Sequence, residues 1–104
     1  MTVKLGKEYL LGDTIRLRVT FKVLHALIDP TTVIFKVKSS DKSIMTYTYP
    51  AENDIIRDSE GEFHLRVVGN KVGQWYYRAE GTGAAAGVEE SAFYVIPSLV
   101  VESV

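Results

Sequence analysis

His25 and His64 are the only imidazoles in this chain, and it contains no cysteine. Imidazole chemistry needs company. A zinc site takes several ligands at short, regular spacings, and a general base needs a nucleophile within hydrogen-bond reach. Neither histidine has a second at ligand spacing, and no serine sits in a recognisable nucleophile turn. The sequence therefore places His25 in a loop and His64 on the outward face of a strand, neither with catalytic duty. Asp54, Asp58, Glu60 and Glu62 crowd one segment, and a calcium ion takes about six to eight such oxygens. Asp58-Ser59-Glu60-Gly61 has neither the length nor the acid spacing of a calcium loop, so a plain turn is expected. Gly81-Thr82-Gly83-Ala84-Ala85-Ala86-Gly87 suggests a phosphate cradle. It lacks the Lys-Ser/Thr that completes one and stands before a strand instead of a helix. A long flexible hairpin is the expectation there, and the sequence offers no catalytic residue, metal ligand or cofactor site.

Binding chemistry is better represented. Arg16, Arg18, Lys22 and Arg66 fall on the outward phase of two strands. If those strands pair, the four bases form one sheet face suited to docking on an acidic protein surface. Lys36 and Lys38 are expected on the opposite sheet. Two apolar segments fit a sandwich poorly. Leu24, Leu27 and Ile28 lie in Val23-Leu24-His25-Ala26-Leu27-Ile28, where a loop should be polar, and Leu99, Val100 and Val101 follow Pro97 in an apolar tail. Such segments either fold over the edge of the core or mark association sites.

The elements that must position these residues are strands. From Thr14 to Val23 the sequence alternates, with Ile15, Leu17, Val19, Phe21 and Val23 on one side and the bases on the other, which reads as one half-buried strand. Val33, Phe35 and Val37 alternate in the same way, as do Phe63, Leu65 and Val67, and Trp75, Tyr77 and Ala79. Turn residues recur at short intervals and no segment has helical period, so an all-β, immunoglobulin-like antiparallel sandwich of about seven strands is expected. Residues 1–97 form that domain and 98–104 a tail, with Trp75 at the centre of the core.

The whole chain of 104 residues, 46% hydrophobic and 24% charged, suits one domain. Its 12 basic and 13 acidic residues leave a net charge of −1, with no global pull towards nucleic acid or an anionic membrane. No apolar run approaches the ~20 residues that span a bilayer. The first residues lack the apolar stretch of a signal peptide, so a protein that stays in the cytoplasm, or is assembled there, is expected.

Four stretches carry a family resemblance: Tyr9 to Leu17, Asp29 to Val33, Ile56 to Phe63, and Gly73 to Gly83 with its run Gly73-Gln74-Trp75-Tyr76-Tyr77-Arg78. In order, they make the chain similar to small immunoglobulin-like proteins encoded among the structural genes of tailed bacteriophages and prophages. The resemblance implies a non-enzymatic, multi-copy virion component, made in the host cytoplasm, whose partners are a major capsid or connector protein. Decoration of the head surface is the preferred role. A head–tail connector or tail accessory protein is the alternative within that class, and a carbohydrate-binding module using Tyr47, Tyr49 or Tyr76 is the alternative outside it. The chain departs from the family pattern at Leu24-His25-Ala26-Leu27-Ile28, usually polar with a glycine, and at Ser39-Ser40-Asp41-Lys42, which lacks the usual Pro-x-Gly.

Overall fold

A computed structural model describes residues 7–97. The chain runs through β1 (Lys7–Leu10), β2 (Thr14–Thr20), β3 (Lys22–Val23), β4 (Ala26–Leu27), β5 (Val33–Lys38), β6 (Ile44–Tyr49), β7 (Ile55–Ser59), β8 (Glu62–Val68), β9 (Gly73–Gly81) and β10 (Gly87–Ile96). One sheet has the order β1-β10-β9-β5-β6 and the other β2-β8-β7, while β3 and β4 form a small hairpin of their own. All pairings are antiparallel except β1 with β10, which is parallel. The fold is the expected immunoglobulin-like sandwich.

Alternation makes the sandwich. In β2 every second residue, Ile15, Leu17 and Val19, is buried, and β8 adds Phe63 and Leu65. These meet Val33, Phe35 and Val37 of β5, Trp75 and Ala79 of β9, and Phe93 and Val95 of β10. Trp75 stacks on Phe93 at a centroid distance of 5.6 Å, and its indole N–H donates to the Lys71 carbonyl at 2.9 Å. The ring is thus buried with its one polar atom satisfied, as a core tryptophan requires.

Four expectations need correction. The strand from Thr14 to Val23 breaks at Phe21. The Phe21 N–H donates to the Gly61 carbonyl at 2.8 Å, and its carbonyl accepts from the Ile28 N–H at 3.2 Å. Those bonds lift the chain out of the β2–β8 ladder, so Lys22 and Val23 belong to the separate hairpin and Val23 is exposed. The Gly81–Gly87 segment is not a long hairpin. β9 continues to Gly81, β10 starts at Gly87, and a single 3-10 turn at Gly83–Ala85 tucks Ala85 into the core. Thr82 pins it, its hydroxyl lying 2.6 Å from that of Thr32. A Cβ added at Gly83 would sit 2.1 Å from the Thr31 hydroxyl oxygen, so glycine there answers a close approach and a φ of +80°. Tyr47 and Tyr49 face inward, Tyr49 packing edge-on against Phe63 at 5.1 Å, which removes both from any exposed platform. His64 is buried as well, and its surroundings belong to the site below.

Candidate docking site

The hairpin β3–β4 pairs Lys22 with Leu27 and Val23 with Ala26, leaving Leu24-His25 as a two-residue turn. Both turn residues have positive φ, 51° and 72°. Two-residue hairpins favour that geometry because it matches strand twist, but they normally fill it with Asn-Gly or Asp-Gly. Leucine and histidine carry a Cβ into the left-handed region, at a cost of about 1–2 kcal/mol per residue. Leu24 is then 92% exposed at the tip. Within the isolated domain neither the strain nor the exposure returns anything.

The base of the hairpin is tightly held. Asp29 accepts the Gly61 N–H at 2.7 Å on one carboxylate oxygen and the Arg57 guanidinium at 3.0 Å on the other. The Gly61 N–H holds the Asp29 carboxyl below its ordinary value; desolvation opposes it in part, and Arg57 adds to the lowering. Gly61 has φ +77°, and a Cβ there would meet the Phe21 carbonyl at 2.8 Å and the Ile28 nitrogen at 3.0 Å. The β7–β8 turn therefore seats the hairpin by close backbone contact. Of the three apolar candidates, Leu24 stands free, Leu27 is 38% exposed on β4, and Ile28 packs half-buried against the core. Leu99, Val100 and Val101 lie outside the described residues.

On the outer face of the smaller sheet Arg16 stands opposite Arg66 and Arg18 opposite His64. The structure brings together three of the four predicted bases; Lys22 is on the hairpin instead. Among the described residues, none of the three arginines is within ion-pair distance of a carboxylate. His64, expected outside, is 4% exposed. β7 carries a bulge between Arg57 and Ser59, and Asp58 on it reaches His64, both carboxylate oxygens 2.8 Å from Nδ1. A carboxylate can only accept, so Nδ1 carries the proton. Nε2 is buried with no partner among the described residues. The signal for this pair was the spacing Asp58 to His64 across a turn, and it stayed hidden because a bulge cannot be read from alternation.

The outer face of the larger sheet holds a concavity of about 460 Å³, lined by Lys36, Lys38, Ile44, Tyr76, Arg78 and Glu90 among others. Lys36 and Lys38 lie there as expected. Arg78 is fixed between Glu90 at 2.9 Å and Glu80 at 3.3 Å, so its charge is satisfied internally. Tyr76 is the exposed aromatic that lines this concavity, and Tyr94 of β10 is exposed on the same face. Among the described residues no group of three or more His, Asp or Glu could hold a metal ion.

No family model and no curated protein matches the chain. By shape it is similar to the crystal structure of a "putative glycoside hydrolase" from Bacteroides vulgatus ATCC 8482, at TM-score 0.60 and 17% identity. The match covers 89% of this chain and 17% of that one, so the chain corresponds to a small part of the larger protein's length. At that identity the likeness is one of fold.

Proposed function

We propose that this chain is a non-enzymatic structural protein of a tailed-phage particle, a decoration or cement protein of the head surface that docks through the β3–β4 hairpin. The observation that carries the docking role is the Leu24 tip, apolar, 92% exposed and held in left-handed backbone on a rigid base. The phage setting rests on the sequence resemblance. Such a tip gains free energy when a partner desolvates it, and many copies on a lattice multiply a weak contact. The test is the number of copies bound per particle after washing, read by gel densitometry. Leu24→Ser with Leu27→Ser should empty the particles while the isolated domain still folds. Wild-type occupancy by that variant would remove the hairpin from the docking role, and failure of the wild-type chain to load on heads would remove the decoration role.

A sugar-binding module is the second reading. It is favoured by Tyr76 in the concavity of the larger sheet and by the glycoside hydrolase name of the protein whose fold is similar. A glycan array probed with wild type and Tyr76→Ala separates the two readings: Tyr76-dependent binding supports this one, and an array with no signal removes it.

A further inference from the structure

Among the described residues β2 is one edge of the smaller sheet, β7 being the other. Its neighbour is β8, and no described strand lies on its other side. A free edge exposes a row of unpaired N–H and C=O groups, and natural sheets usually blunt such edges or cover them. Beside this one runs a groove of about 470 Å³, lined by Arg16, Leu17 and Arg18 of β2 and by Tyr9, Tyr77 and Phe93 across the gap, with Lys7 at its mouth. No residue of β8 or β7 lines it, so the groove opens on the flank where a further strand would lie. A second depression continues along the same strand past Val19 and Thr20 to Ala85 and Gly87.

The charges on this edge point to what would fill it. Arg16 faces Arg66 directly across the ladder, a like-charge pairing that destabilises a sheet unless a partner neutralises it. Arg18 adds a third cation one step along the same face, and none of the three is ion-paired among the described residues. Asp58 and Glu62 border the outer face near Arg16 and Arg18, but Asp58 is engaged by His64 and Glu62 accepts the Ser59 hydroxyl. The other phase of β2 is apolar, and the groove beneath it is floored by aromatic rings.

We propose that the free edge of β2 accepts an extended segment of a partner protein by strand addition, the segment alternating acidic and apolar side chains. Its backbone completes the hydrogen bonding of β2. Its carboxylates lie beside Arg16, Arg18 and Arg66, and its apolar side chains enter the groove over Tyr9, Tyr77 and Phe93. Main-chain bonds supply affinity and the alternate pockets supply selectivity, as in other edge-strand recognition. This surface is separate from the Leu24 hairpin and stands or falls independently of the phage reading.

The probe is a short synthetic peptide alternating Glu and Val, offered to the full chain and followed by amide hydrogen exchange and NMR shifts at Thr14–Thr20. In the free chain the outward amides of β2 should exchange fast, and the peptide should protect them. Arg16→Glu with Arg18→Glu, its fold checked by circular dichroism, should weaken binding at least about tenfold and shift preference to a Lys/Val peptide. A Glu/Val peptide N-methylated at alternate residues keeps its charges but cannot complete the ladder, so it should not bind. Three results would overturn the proposal: equal binding of the methylated peptide, indifference to charge reversal, or β2 amides already protected in the free chain.

Discussion

Leu24 and His25 show how much a single pair of residues can say when it breaks a local rule. Asn-Gly belongs in their place, and replacing them with Asn-Gly should relieve most of the backbone strain, about 1–2 kcal/mol per residue. Even a gain of about 1 kcal/mol raises the melting temperature of a domain this size by roughly 4–8 °C. Calorimetry should therefore find the doubly substituted chain more stable, while particle loading is lost. A flat or lower melting temperature would mean that the turn is not strained, and that its conformation carries no message about function. The two histidines divide on the same logic. His25→Gln alone exchanges one exposed turn residue for another with the same left-handed strain and should leave stability within about 0.5 kcal/mol. His64→Ala removes a buried ring and its bond to Asp58, and should cost about 1–3 kcal/mol by denaturant titration. Periodicity put His64 outside, and it does lie on the outer phase of β8. It sits on the central strand between Arg18 and Ile56, and Asp58 reaches it from a bulged neighbour, an arrangement with no sequence period.

The hairpin, its seat and the turn that holds it form the element on which the docking role depends. Asp29 links them through Gly61 and Arg57, and its carboxyl is held below the ordinary value of 3.8. A carboxyl depressed in the folded state contributes stability that is present above its unfolded pKa and is lost as pH falls through the folded one. Asp29→Asn should therefore lower the midpoint of thermal unfolding at neutral pH, and its gap to wild type should narrow as pH falls below about 4, where the unfolded chain's Asp29 takes up a proton that the folded carboxylate resists. A gap that stays constant from neutral to acid pH would assign the role of Asp29 to shape alone. Gly61→Ala tests the same seat from the backbone side: with φ +77° and the Phe21 carbonyl 2.8 Å from the new Cβ, it should destabilise the domain and displace the hairpin. Much of this element's setting was legible in the sequence. The alternation of Ile15, Leu17 and Val19 gave β2, and the apolar run at Leu24, Leu27 and Ile28 stood out as foreign to a loop. Phase could not tell that Phe21 stays in the core while Val23 leaves it, because the break comes from backbone hydrogen bonds to Gly61, forty positions on, and to Ile28 beyond the hairpin. Lys22 was misassigned to the arginine face for the same reason.

At the scale of the molecule, the two sheets meet through few large side chains, and Trp75 is the largest of them. It stacks on Phe93 beside it and shares one core with Phe63 and Leu65 of β8, with its indole N–H bonded to Lys71 in the preceding turn. Natural domains keep about 5–15 kcal/mol of net stability, and cutting a buried tryptophan to alanine costs about 3–5 kcal/mol through lost contacts and the cavity left behind. Trp75→Ala should therefore lower the melting temperature by roughly 12 °C or more, taking about 4 °C per kcal/mol as the lower bound for a domain of this length. The same substitution made together with Leu24→Asn and His25→Gly should recover part of the loss additively, since the hairpin turn and the Trp75 site share no partner. A triple variant that recovers nothing would mean that hairpin and core are one cooperative unit, with the strain at Leu24 transmitted through Phe21 and Gly61 into the packing around Phe63.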